Sequence, residues 1–212
     1  MIIATSKQTK KGPSFLGRGI YDVVEVARLV GRDPETIQRW TSGQAPLHLV
    51  ETMPVYVFLD VISLWVVSEL LKKNVAKSEI RSGAEYLGTH LKTAYPYAHK
   101  ALATAGAAVF SELGDWVDVG KRGQLPFKEA IKEYLSPLQY GRDGLAAIWR
   151  PMQGVWVNPG VQAGAPCIDG TRIPTETLAA LVAANEDPED LAADFGLDLG
   201  QVNAALEFEQ AA

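Results

Sequence analysis

Between Gly164 and Pro174 the chain reads "GAPCIDGTRIP", which brings its lone cysteine, Cys167, beside Asp169 and Arg172. Those residue types suit a catalytic loop, with Cys167 as nucleophile, or a metal loop built on Asp169. Each chemistry has a further requirement that the sequence does not meet. A cysteine nucleophile needs a neighbouring base that favours the thiolate, and no histidine lies near Cys167. Zinc needs His or Cys at fixed spacing, whereas His48, His90 and His99 form no i, i+4 pair. Glu112, Asp115 and Asp118 cluster where a hairpin turn is expected, and Asp is common in turns on conformational grounds alone. No glycine loop of the phosphate-cradling kind is present. The expectation is a protein that is not an enzyme and calls for no metal or cofactor.

Binding is then the function to seek, and charge shows where. The 212 residues carry 20 Lys+Arg and 25 Asp+Glu. Residues 1–150 hold 19 of those cations and 15 of the carboxylates, a balance of +4; residues 151–212 balance at −9, with Arg172 their sole Lys or Arg. Such asymmetry suits a polyanion at one part and a different partner at the other. A lone cysteine, no signal-like leader and no apolar run near 20 residues point to a cytoplasmic protein with no membrane partner.

The elements that must position a DNA contact begin at Tyr21. In "YDVVEVARLVGRDPETIQRWTSG", Val23, Val26, Ala27 and Val30 share one helical face and Gly31 ends the helix. Asp33 caps a second helix, Pro34 occupies its first turn, and Ile37 with Trp40 forms its inward face. Two short helices joined this tightly predict a helix-turn-helix, with Glu35, Thr36, Gln38 and Arg39 outward and Arg32 in the turn. Arg39 and Gln38 suit guanine and adenine, Thr36 a thymine methyl, and Arg32 a phosphate. An ordinary helical hairpin with a solvated face is the alternative.

A β-like stretch, "APLHLVETMPVYVFL", reads as a wing, followed by a central apolar helix containing Ile62, Trp65 and Val66. Those three side chains serve either a dimer interface or simple core packing. A turn at Asn74 leads into a helix from Ser78 to Tyr95, carrying Ile80, Ala84, Leu87 and Leu91. The order resembles the winged helix-turn-helix of MerR-type regulators over residues 18–95, which implies a dimer on operator DNA. Residues 1–17 read as a mobile basic arm. Residues 96–150 read as a small α+β connector: a hairpin of Val109–Glu112 with Trp116–Val119, a helix bearing Phe127, Ile131, Tyr134 and Leu135, then a hairpin turning at Gly141 to Gly144.

From residue 151 to 212 the pattern predicts a β-arm and three helices. Thr175 precedes the first, Asp187-Pro188 starts the second with Leu191, Ala192 and Phe195 inside, and Asp198 with Gln201 forms a capping box for the third. Cys167 then sits in a strand as a small hydrophobe, and Asp169-Gly170 makes a turn. The fold class expected is mainly α with small β-hairpins.

Asn158-Pro159-Gly160, "GAPCIDGTRIPTETL" and "NEDPEDLAADFGLDLGQVNAALEF" resemble the DUF433 family of antitoxin-like modules. It departs from the family pattern at Cys167, where Val is usual, and at Asn185, where Gly is frequent. With the helix-turn-helix in front, the whole resembles VapB45-like antitoxins. That resemblance implies a partner similar to PIN-domain ribonuclease toxins, held by Asp169, Thr171, Arg172 and Ile173, and repression of the chain's own operon. Arg172 then either pairs with the toxin's metal-binding carboxylates or locks its own loop through Asp169. A stand-alone MerR-like regulator without a toxin is the alternative function.

Overall fold

The computed structural model describes residues 18–42, 55–102 and 135–211. Most of the expected wing, the hairpin at 109–119 and nearly all of the helix before Leu135 lie outside these residues. Among the described residues the fold is α+β, with seven helices and one four-stranded antiparallel sheet.

Helix α1 (Val23–Val30) starts from a reciprocal cap: Asp22 accepts from the amides of Val24 and Glu25 at 2.7 and 2.8 Å, while Glu25 accepts from the Asp22 amide at 2.7 Å. Gly31, at φ 66°, ends it in the left-handed conformation that side chains disfavour. Three residues later α2 (Pro34–Thr41) begins under an Asp33 cap. Val26, Ala27 and Val30 of α1 and Ile37 and Trp40 of α2 are buried as the periodicity predicts. Tyr21 and Tyr56 exchange backbone hydrogen bonds just ahead of α1 and α3.

The apolar helix α3 (Phe58–Lys72) is the axis of the larger core, burying nine of its 15 residues. Asn74, at φ 62°, makes the expected turn, and α4 (Lys77–Leu91) buries Ile80, Gly83 and Leu87. This helix stops four residues short of the expected Tyr95. A residue before proline is pushed out of the helical region, and Lys92 has already turned to φ 50°. Pro96–Ala98 forms a short 3-10 turn instead, and the Tyr97 hydroxyl donates to the Ile80 carbonyl.

Strands β1 (Leu138–Tyr140), β2 (Ala146–Met152), β3 (Val155–Val157) and β4 (Cys167–Ile168) lie in that spatial order. The hairpin read at Gly141 to Gly144 is β1–β2, with Leu138 opposite Trp149. β2 continues past residue 150 and pairs with β3, placing Trp149 opposite Val157. The sheet thus joins the expected connector to the expected C-terminal unit. Trp149 packs 5.2 Å from Trp65 of α3, so the sheet closes the core of the helices.

Helices α5 (Thr175–Ala183), α6 (Pro188–Phe195) and α7 (Leu199–Ala211) complete the fold. Asp187 caps α6, Gly196 ends it at φ 65°, Asn185 adopts φ 71°, and Asp198 and Gln201 exchange hydrogen bonds ahead of α7. Two details differ from expectation. Thr175 lies inside α5, after Pro174, and its buried hydroxyl donates to Glu209 at 2.6 Å. Phe195 is 37% exposed, because α6 ends there and Gly196 turns the chain away.

Candidate functional site

On α2, Glu35, Gln38 and Arg39 face solvent. Thr36 does not: it is buried, its hydroxyl donating to Asp33 at 2.8 Å and accepting from Arg39 at 2.7 Å. Its position adjacent to the inward Ile37 is itself shielded, and the bonds to the Asp33 cap hold it there. The Thr36 hydroxyl and amide hold the Asp33 carboxyl below its ordinary range. Arg32 is also engaged, donating to the Ser68 hydroxyl at 2.9 Å and carbonyl at 3.3 Å, with its guanidinium 5.8 Å from the Trp40 ring centre. It ties the interhelical turn to α3, so the outward head reduces to Glu35, Gln38 and Arg39.

Of the two readings of Ile62, Trp65 and Val66, the structure has core packing: Ile62 and Val66 are buried within the chain's own core, and half-buried Trp65 packs on Trp149. On a helix buried nearly all round, no side remains at Ile62 or Val66 for a second copy. A dimer requires a different surface.

The 169–173 turn is held from several directions. Asp169 pairs with Arg150 through two bonds, 3.0 and 3.2 Å, and not with Arg172. The Thr171 hydroxyl donates to the Ile168 carbonyl at 2.9 Å and accepts from the Ile173 amide, while its carbonyl accepts from Trp156 Nε1 at 3.2 Å. Gly170, at φ 77°, makes the reversal. Ile173 is half-buried against Ile168 and Leu178. Arg172 alone projects: its carbonyl accepts from Gln162 Nε2 at 2.9 Å, but its guanidinium is exposed, with no hydrogen-bonding or ionic partner among the described residues. Cys167 is buried in β4, and burial raises its thiol pKa, opposed in part by the charge of Arg172.

Among the described residues no three His, Cys, Asp or Glu converge on a metal-sized site. His90 stacks on Tyr86 and hydrogen bonds to its carbonyl, and His99 accepts from the Ala101 amide. His48 lies outside the described residues. No described helix is long and apolar enough to cross a membrane.

Sequence reasoning missed the junction between α1 and the C-terminal helices. Arg28 of α1 donates to both carboxylate oxygens of Glu209 on α7, at 2.7 and 3.2 Å, and Thr175 completes the group. The Tyr21 hydroxyl donates to the Gly164 carbonyl at 2.8 Å; burial, with the charge of Glu25, drives its pKa well up. These contacts flank a cleft of about 330 Å³ rimmed by Ile20 and Val24, which are 47% and 60% exposed. The exposed apolar pair was the signal available in the sequence, since Val24 breaks the polar face of α1.

Residues 155–208 match the family model DUF433, a protein of unknown function. A DUF433 module is present. Its boundaries run from β3 nearly to the end of α7, so they include the 169–173 turn and stop one residue before Glu209. Over 223 aligned positions the chain is 27% identical to Uncharacterized protein Rv2308 of Mycobacterium tuberculosis, covering 92% of each protein. The fold is shared with the X-ray structure of Rv2018 from the same organism at a TM-score of 0.74. That match has 22% identity and covers 88% of this chain and 96% of the other. That likeness is one of fold, and it spans both the matched module and the helices before it.

Proposed function

We propose that this chain is a DNA-binding antitoxin that reads operator DNA with α2 and neutralises a PIN-like ribonuclease with its DUF433 module. It represses its own operon as a dimer and works by binding, not catalysis. In this reading α1 and α2 form the helix-turn-helix of a MerR-like winged domain. The observation that carries the proposal is the pair of exposed heads on rigid supports. Gln38 and Arg39 project from a helix fixed by Asp33 and by the Arg32–Ser68 bonds. Arg172 projects from a turn fixed by Asp169–Arg150, Thr171 and Gln162. Rigid supports of this kind leave only the side chains themselves to be ordered on binding phosphate, guanine or carboxylate.

Charge supports the division of labour. The balance of −9 over residues 151–212, which contain the module, repels a phosphate backbone, leaving the +4 part to approach DNA. Arg172, now free of Asp169, is available to a ring of carboxylates such as a PIN-type site presents.

Two variants test the two halves. In mobility-shift titrations against the chain's own upstream DNA, Arg39→Ala weakens binding about tenfold or more and relaxes base preference at one position. Unchanged binding removes α2 from the reading. When a PIN-like ribonuclease encoded beside it is co-expressed, Arg172→Ala fails to restore growth while the unaltered chain restores it. Full rescue by the variant removes Arg172 from the toxin contact. DNA binding with no effect on any neighbouring ribonuclease leaves the stand-alone regulator.

A further inference from the structure

Ahead of β4, three consecutive residues hold positive φ: Gln162 at 47°, Ala163 at 53° and Gly164 at 94°. Only the last is glycine, and left-handed backbone is disfavoured for the other two. Such a run persists when surrounding contacts over-determine it. Here those contacts come from the other end of the sequence. The Ala163 carbonyl accepts from the Ile20 amide at 3.0 Å, and the Gly164 carbonyl accepts from the Tyr21 hydroxyl at 2.8 Å. The Tyr21 ring also fills the space that a Cβ on residue 164 would need.

The same turn reaches the module's exposed head. Gln162 Nε2 donates to the Arg172 carbonyl at 2.9 Å. Residues 20–21 lead directly into Asp22, the cap of α1, and α1 packs on α2. One strained turn is therefore bonded directly to the 169–173 turn and, through residues 20–22 and α1, is linked to α2, the two places to which the function proposed above assigns ligands.

We propose that residues 162–164 are a latch coupling the 169–173 turn to the placement of the α1–α2 pair. With the latch closed, the carbonyls of Ala163 and Gly164 hold Ile20 and Tyr21. With it open, Gln162 and Ala163 relax to negative φ and those two bonds are lost. A partner that grips Arg172 shifts the carbonyl to which Gln162 is bonded, and so biases the latch. Linkage makes the effect reciprocal, so DNA on α2 changes the affinity of the 169–173 turn by the same factor. The inference rests on the proposed roles of α2 and the turn, but the latch is testable without either ligand.

Hydrogen–deuterium exchange of the full-length chain reads it directly. Tyr21→Phe removes one latch bond and keeps the ring. It accelerates exchange about fivefold or more in peptides covering both 162–173 and 20–41, leaving 188–211 unchanged. Ala163→Gly relieves the strained φ and slows exchange in both regions. Acceleration confined to one side of the turn, or no change in either variant, overturns the latch. If Tyr21→Phe does not fold, Ala163→Gly decides alone: slower exchange on both sides supports the proposal, and any other result overturns it. A chain that exchanges as expected but shifts no DNA keeps the latch and loses the DNA reading.

Discussion

Helix α3 buries nine of its 15 residues, whereas α5, the first helix of the DUF433 module, buries two of nine. The contrast extends to the cores around them. One cluster runs continuously through α1, α2, α3 and α4 and takes in Leu138, Trp149 and Val157 of the sheet. The cluster centred in the module contains Ile168, Leu178 and Ala205, with Ile173 and Leu197 packed against it. The module also buries Val155, Cys167, Leu191, Val202 and Phe208, yet its central cluster is smaller than the one around α3. It is held as well by its caps, by β3, which reaches into the larger core, and by the contacts to Tyr21 and Arg28. A stretch recognisable as a family module is thus not a separate hydrophobic unit.

Trp149→Ala is the strongest way to break this comparison. It empties the site where sheet and α3 meet, and a loss of about 3–5 kcal/mol is expected in denaturant unfolding. Because β2 carries β3, local probes in the module unfold in the same transition; a module that keeps its original midpoint contradicts the dependence. Next comes the Arg28–Glu209 pair, whose side chains are 33% and 11% exposed. A double-mutant cycle of Arg28→Leu and Glu209→Gln should give a coupling of about 1–2 kcal/mol, between exposed and buried pairs. Coupling near zero would mean that the junction is held by the Tyr21 and Ile20 bonds without help from this pair.

The smallest effect compares two helix starts within the larger core. The Asp33 carboxyl titrates below its ordinary 3.8, lowered first by the Thr36 hydroxyl, while Asp60, half-buried and accepting from the Val57 amide at 2.9 Å, is raised above it by loss of solvation. The contribution of Asp33 is complete above the unfolded pKa and disappears as pH falls through the lower folded one. Asp60 runs the other way: its contribution is complete below the unfolded pKa and is lost as pH rises through the raised folded value. In an NMR titration the Thr36 amide should move with a midpoint below 3.8 and the Val57 amide with one above it. The reverse order would contradict the assigned causes.

Much of the local architecture could be read from spacing. Asp33, Asp187 and Asp198 start helices, Gly31 and Gly196 end them, and Asn74 and Asn185 turn the chain, because each acts on groups within about four residues. The faces of α1 and α2 followed from period for the same reason. The candidate sites were legible only in part. Thr36 lay one position from the correct face, Arg32 had a partner 36 residues away, and Ile62 and Val66 were apolar residues whose neighbours the pattern could not name. Asp169 was correctly placed in a turn but paired with Arg150, not Arg172.

The sequence by itself determined the helices, their caps, the strand position of Cys167 and the charge division, since each depends on neighbours along the chain or on composition. Tertiary structure alone decided the Tyr21–Gly164 bond, 143 residues apart, and the Arg28–Glu209 pair, 181 apart. Propensity and periodicity carry no information about which distant side chains meet. That is fixed only when β2, β3 and α3 share a core, which brings α7 against α1 and leaves Arg172 unpaired among the described residues.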